Sequence, residues 1–261
     1  MTPVGGQMAV SPEHSADRWR SVALPERTGY VPQWPIERWM VPLLGQAIEE
    51  RLRRYAAPLA ARGRCLDVGC GGQPFRPHLE GMGFEYTGFD VHQSPQGSID
   101  VLGAIDEPLP PALGRAEFQF VLCTEVLEHV ARWPEAFRNL AALLAPGGRL
   151  LLTAPHLWFP HEEPADFFRP THWALDYHGR AAGLTPLEIT RLGDGRDVLG
   201  TVLTSVRIRP AGGRWFYRPF VIPLRLMRSA LLQALRSRAA RRFVSFETSL
   251  YLSTIAVFEK R

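Results

Sequence analysis

Asp67 sits within the apolar run Cys65-Leu66-Asp67-Val68, and Gly69, Cys70, Gly71 and Gly72 follow at once. A glycine turn of this kind lets backbone N–H groups approach a ligand closely. Asp90 closes a second apolar run that starts at Phe84, and it lies 23 positions after Asp67. An acid about 20 residues past a glycine turn accepts hydrogen bonds from ribose hydroxyls in nucleotide-binding α/β folds. Pro74 stands where a dinucleotide fingerprint starting at Gly69 needs its last glycine, so that fingerprint is absent. An acid ahead of the turn suits a ligand bearing an ammonium better than one bearing a pyrophosphate.

A second group of residues is suited to moving protons. Five of the eight histidines fall between positions 129 and 178: His129, His156, His161, His172 and His178. Histidine titrates near neutral pH, which fits a general base for a hydroxyl. His161 is the first candidate, in a Pro-flanked stretch with Glu162 and Glu163 beside it and Trp158, Phe159, Asp166 and Arg169 nearby. Trp158, Glu162, Asp166 and Arg169 are candidate acceptor contacts, and Asp166 with Arg169 also reads as an ion pair that fixes the stretch. His129 lies four residues after Glu125, at the spacing of a pair on a helix start. The spacing of His156, His161 and Glu162 matches no standard metal motif, so no metal site is expected. The three cysteines form no C-x-x-C pair and lie on or beside apolar runs, which excludes a zinc cluster and a disulfide framework and fits a reducing compartment.

These residues need strands and helices to hold them. Strands are expected near 64–68, 84–90, 98–102, 118–123, 149–153, 184–190 and 250–258. Helices are expected at 36–57, 74–81, from Trp133 to a stop at Ala145-Pro146-Gly147-Gly148, and at 171–182. This alternation predicts a mostly parallel sheet covered on both faces. The first 28 residues lack periodicity and read as a flexible tail. Residues 29–62 read as a helical extension, either covering the sheet edge or closing over the ligand, and residues 63–261 as the main domain.

Four elements together resemble the class I S-adenosylmethionine-dependent methyltransferases. They are Leu66-Asp67-Val68-Gly69-Cys70-Gly71, Phe89-Asp90, the segment Cys123-Thr124-Glu125-Val126-Leu127-Glu128-His129-Val130, and Leu144-Ala145-Pro146-Gly147-Gly148-Arg149-Leu150. The resemblance covers about 63–190 and a final strand. It implies a Rossmann-like seven-stranded α/β fold and S-adenosylmethionine as cofactor. It also implies that Asp67, Gly69, Cys70 and Gly71 hold the methionine end. Asp90 and Val91 would meet the ribose, Ala104 and Ile105 would border the adenine, and Cys123 and Glu125 would lie near the methionine ammonium. The sequence departs from the family where a third glycine is usual, at Gln73, and where a polar residue often meets adenine, at Ala104 or Ile105. Amino-methylating enzymes of nucleobases carry an Asn/Asp-Pro-Pro-aromatic motif after the fourth strand; here Cys123-Thr124-Glu125-Val126 stands there.

The net charge is +4, and all thirty basic residues are Arg except Lys260. From Val198 to Phe246 there are ten Arg and no acid. Within about 205–246, Leu224, Met227, Leu231 and Leu235 recur at helical spacing among arginines, a basic amphipathic insertion. Three readings stand for it: cover for the sheet or a homodimer interface, a peripheral membrane contact through 214–242, or a nucleic-acid surface. The N-terminal sequence lacks a signal-peptide pattern and no apolar run is long enough to span a bilayer, so a cytoplasmic location, with peripheral membrane contact as an addition, is expected. The sequence therefore predicts methylation of a small-molecule or glycan acceptor on oxygen, in natural-product or glycan biosynthesis. An RNA methyltransferase and a non-catalytic binding module with the same fold are the alternatives.

Overall fold

The computed structural model describes residues 29–61, 63–209 and 217–261. The expected tail at 1–28 and the start of the expected membrane contact, up to Phe216, lie outside them.

Seven strands form one sheet in the order β3-β2-β1-β4-β5-β7-β6. They are β1 (Arg64–Val68), β2 (Glu85–Asp90), β3 (Val101–Leu102), β4 (Phe118–Thr124), β5 (Leu144–Pro155), β6 (Leu184–Leu192) and β7 (Ser253–Lys260). β1 to β5 pair in parallel, while β7 runs antiparallel between β5 and β6. The central strands are apolar on both faces, as a sheet covered on both sides requires: Leu66, Phe120, Val121, Leu151 and Ile255 are all fully buried. One core lies under α3 (Trp133–Leu143) and α4 (His172–Ala181). The other lies under the N-terminal extension and α2 (Arg76–Met82).

Three expectations of detail change. The extension is not one helix: a 3₁₀ turn (Pro35–Arg38) leads into α1 (Val41–Arg51), which widens to a π-turn (Leu52–Ala56) and tightens again at Ala57–Leu59. Pro42 restarts the helix at its first turn and Pro58 ends it. Its expected apolar face is nevertheless buried, with Leu44, Ile48 and Leu52 packed on the sheet. The residues Ala145 to Gly148 do not stop α3, which already ends at Leu143. They form the bulged start of β5, where Gly147 takes a φ of 74°. The third strand shrinks to two residues.

The insertion between β6 and β7 holds a helix that periodicity did not reveal, α5 (Gly195–Ser205), followed by α6 (Arg218–Arg236) and α7 (Arg238–Phe243). Asp194 caps α5 by accepting from the N–H groups of Arg196 and Asp197, and Asp197 returns a bond to Asp194 N. α6 runs through Pro223 and seats Val221 and Leu235 inward, leaving Leu224, Met227 and Leu231 exposed. Arg225 and Arg228 donate to the carbonyls of Ile208 and Val206, and the Arg236 guanidinium lies 5.3 Å from the Trp39 ring. They tie α6 to the body. None of the described helices is long and apolar enough to cross a membrane.

Candidate active site

All the strand-end residues singled out from sequence except Cys123 converge on one cavity of about 600 Å³ at the carboxyl end of the parallel strands. β1 leaves the sheet at Gly69 (φ 66°) and Gly71 (φ 46°). A side chain at Gly69 would lie 2.2 Å from Val126 Cγ2, so only glycine lets β4's exit pass this close. The N–H groups of Gly69 and Cys70 donate to Phe89 O at the end of β2, which closes the turn. Gln73 fills the position of the missing third glycine with a φ of 56°, and its side-chain amide donates to Ser98 O. The departure from the family pattern is thus absorbed by one anchoring bond.

Asp67 is buried, and the hydroxyl of Tyr86 donates to it at 2.8 Å. Burial pushes its carboxyl up to about 7, against the pull of that hydrogen bond. A carboxyl at the edge of ionisation is completed by an arriving cation. Asp90 is pinned by two backbone donors, Gly71 N–H at 2.8 Å and His92 N–H at 3.1 Å, and borders the cavity with Val91, Ala104 and Ile105. Cys123 does not reach the cavity. Its side chain is in the core and burial raises its thiol, while Thr124 and Glu125 continue into the lining. Glu125 adopts a φ of 53°, its N–H bonds Thr153 Oγ1, and its carboxylate accepts from Ser253. A left-handed non-glycine residue at a ligand-facing strand end is a recurrent mark of a functional site.

The facing wall is the stretch from His156 to Pro170, and Arg169 holds it. Its guanidinium donates to both oxygens of Asp166, at 2.5 and 2.7 Å, and to the carbonyls of Trp158, Phe159 and Phe168. Burial alone would raise Asp166, but Arg169 and the His161 N–H outweigh it and hold the carboxyl below its ordinary value. Asp166 and Arg169 are therefore absent from the described lining, contrary to the expected acceptor contact; the ion-pair reading describes them. Trp158, Phe159, His161 and Glu162 do line the cavity. His156 turns away, with its ring stacked on Tyr251 at 4.2 Å.

The two candidate bases, 32 residues apart in sequence, meet: the His129 and His161 rings are 4.7 Å apart, edge to face. His129 Nδ1 donates to Ala165 O at 2.7 Å, and burial pushes the imidazole down to about 4, so it is neutral at pH 7. The carboxylates facing its Nε2 are Glu162 at 3.5 Å and Glu128 at 3.8 Å, rather than the Glu125 that helical spacing suggested. Leu127–His129 is a 3₁₀ turn, so the i to i+4 geometry does not apply. Glu128 itself was not foreseen, and neither was Tyr86. The remaining wall comes from the extension: Tyr30, Trp34, Ile36, Met40, Val41 and Leu44 reach the cavity. The extension both covers the sheet and closes the site. It is anchored by Trp39, whose indole N–H donates to Thr204 of α5 at 3.1 Å.

The cavity fits S-adenosylmethionine. A glycine-built cradle, a buried acid beside it and a pinned acid at the next strand suit the ammonium and the ribose of that cofactor. Comparison with known proteins agrees. A methyltransferase domain family model matches residues 42–193, more than half of the chain. A ubiquinone biosynthesis O-methyltransferase of Aeromonas salmonicida is 24% identical over 167 residues, covering 58% of this chain and 69% of that protein. The enzyme of the same name from a Caulobacter strain is 38% identical over 100 residues, 34% of this chain and 39% of that protein. Among solved structures, a SAM-dependent methyltransferase from Archaeoglobus fulgidus superposes with a TM-score of 0.52 at 16% identity, over 82% of this chain and 94% of that one. A protein from Galdieria sulphuraria, described as a sarcosine dimethylglycine methyltransferase, gives 0.53 at 13% identity over 90% and 94%. At such identities the structures show the fold. With the family match and the cradle, they make the chain a member of the methyltransferase domain family and a S-adenosylmethionine-dependent methyltransferase.

Proposed function

We propose that this enzyme methylates a hydroxyl oxygen of an uncharged small molecule with an apolar or aromatic body. The observation that carries the proposal is the charge of the cavity. Its described lining includes six acids, Glu37, Asp67, Asp90, Asp106, Glu125 and Glu162, and no Arg or Lys. The chain has thirty basic residues to draw on. A phosphate or carboxylate on the acceptor would find no Arg or Lys side chain in the described lining, whereas a neutral ring would meet Trp34, Ile36, Met40, Trp158 and Phe159. The same feature argues against RNA, whose backbone needs basic contacts. Two arginines of α6, Arg225 and Arg228, are engaged with backbone carbonyls of the preceding segment. The relatives are named as O-methyltransferases, which supports oxygen as the acceptor atom.

The cofactor supplies a methyl group on a positively charged sulfur. The protein's own work is to align the acceptor oxygen with that carbon, exclude water and remove one proton. We assign the ribose to Asp90 and the methionine end to Asp67 with the backbone of Gly69 to Gly71. The hydroxyl is deprotonated at the wall formed by His161, His129 and Glu128, with His161 on its open side. The oxygen keeps the electron pair of its O–H bond and spends it on the new O–C bond. The electrons of the broken C–S bond return to sulfur. Trp158, Phe159 and the extension hold the ring and keep water out.

The test is incubation with radiolabelled cofactor and a panel of phenols, catechols, neutral glycans and RNA. Label on a phenolic or catechol oxygen supports the proposal. Label on RNA, or only on carboxylated or phosphorylated acceptors, overturns it.

A further inference from the structure

We propose that Glu128, His129 and His161 form a binding site for a divalent first-row transition-metal ion, with Glu162 at its open edge. One ligand atom from each of the three residues lies within 4.8 Å of the others. Glu128 is fully buried, and among the described residues neither of its carboxylate oxygens receives a hydrogen bond from another residue. A buried carboxylate without donors is costly, and a cation removes that cost. The His129 ligand nitrogen arrives correctly oriented. Because His129 Nδ1 donates to Ala165 O, its Nε2 carries the lone pair, and that atom faces Glu128 and Glu162. A carbonyl bonded to the far nitrogen is the usual support of a metal-ligating histidine. His161 Nε2 lies 4.0 Å from the same Glu128 oxygen.

The spacing suits one ion. Zinc–nitrogen bonds of about 2.0–2.1 Å in a tetrahedron put neighbouring ligand atoms about 3.4 Å apart. Within the trio, Glu128 lies 3.8 Å from His129 Nε2 and 4.0 Å from His161 Nε2, and all three ligand atoms fall within 4.8 Å of one another, so the residues close on the ion by about 1 Å or less on most sides. Two imidazoles and a carboxylate favour Mn²⁺, Fe²⁺, Co²⁺ or Zn²⁺ over Mg²⁺ or Ca²⁺, which prefer all-oxygen sites. The frame is rigid. Glu128 and His129 share a 3₁₀ turn, braced where the Trp133 indole donates to Leu127 O and where the N–H groups of Phe167 and Phe168 donate to Glu128 O. Arg169, whose guanidinium lies 3.3 Å from His161 Nδ1, is paired to both oxygens of Asp166.

His129, His161 and Glu162 also line the cofactor cavity, so the ion would face the acceptor. A hydroxyl bound to it loses its proton more readily than one in water, and in that state His161 acts as a ligand to the ion rather than as the base. That role rests on the methyltransferase reading; the site's existence does not. Binding is therefore measured without acceptor. Chelator-stripped protein is titrated with Co²⁺, following visible absorption, and with Zn²⁺ by calorimetry. The expected result is one ion per chain, the intense spectrum of four- or five-coordinate Co²⁺, and at least about tenfold weaker binding in Glu128→Gln and in His129→Ala. Circular dichroism checks that the variants fold. The unmodified chain gives a second reading, a melting temperature raised by Zn²⁺ and restored by chelator. Absence of stoichiometric binding to the native chain, or equal affinity in both folded variants, overturns the site. Ready displacement of Co²⁺ by Mg²⁺ overturns the choice of ion. Cofactor binding by the stripped protein is a separate measurement, and its loss would count against the methyltransferase reading alone.

Discussion

The cofactor cradle is shaped mostly by backbone torsions and backbone hydrogen bonds, whereas the facing wall is shaped by side chains. The cradle is made where consecutive residues leave a strand, so its geometry is set by glycine torsions and short bonds such as Gly71 N–H to Asp90. The wall is made of three separate segments, and its histidines are brought together by Arg169 and Ala165 across a long loop. Apart from Asp67 and Asp90, the first region should tolerate side-chain replacement wherever the torsions survive. The other depends on a few side chains and on the contacts that aim them. Binding and chemistry should therefore separate under mutation.

The largest separation is expected at the wall. His161→Ala should slow methyl transfer by about 10²–10⁴-fold, the usual worth of a positioned base, while cofactor affinity changes little. Stopped reactions at saturating cofactor measure the first and calorimetry the second. Equal loss of both would make His161 a structural residue. In the cradle, Asp90→Ala removes an acceptor of charge-assisted hydrogen bonds and should weaken cofactor binding by about 2 kcal/mol, or about 30-fold. Unchanged affinity would refute the ribose assignment.

A smaller effect comes from pH. Asp67 has its carboxyl pushed up by burial from 3.8 to about 7. Between those values the folded chain holds a proton that the unfolded chain has lost, so this group costs stability as pH rises through the window. A bound ammonium favours the ionised form. Cofactor binding should thus release protons and tighten from about pH 5 to about pH 7. Calorimetry in buffers of different ionisation enthalpy reads the release, and Asp67→Asn should abolish it. The smallest effect is expected far from both regions. Joint replacement of Arg225 and Arg228 by Ala should lower the melting temperature by about 2–4 °C, as loss of about 1 kcal/mol does at this size, with cofactor affinity intact. A steep fall in affinity for RNA in the same variant would revive the nucleic-acid reading.

The same contrast explains what the sequence makes legible. Asp67, Gly69, Gly71 and Asp90 can be read because the turn and the strand ends are local and their residue types are dictated by torsion and hydrogen bonding. The mostly parallel pairing of the sheet follows from alternation, while its strand order does not, and the short third strand and the bulge before Arg149 are the places where local signals were weakest. His129 and His161 can be picked out as reactive types, but nothing in their spacing shows that they touch. Glu128 carries no signal of its own: within Leu127-Glu128-His129 it looks like a solvated acid, and only the fold buries it. The α5 cap, Asp194 with Asp197, was a readable signal that periodicity alone passes over. In α6 the arginines look like a surface charge stripe in sequence. Their bonds to Ile208 O and Val206 O are long-range and appear only in the folded chain.

The division between a binding cradle and a reactive wall is tested most directly by one paired measurement. S-adenosylmethionine affinity and single-turnover methyl transfer to the best phenolic acceptor are determined side by side for the native chain, Asp90→Ala and His161→Ala. The account predicts a crossing: Asp90→Ala loses affinity but transfers normally at saturating cofactor, and His161→Ala binds normally but transfers slowly. If both variants lose both properties together, or if His161→Ala transfers at the native rate, the account is contradicted.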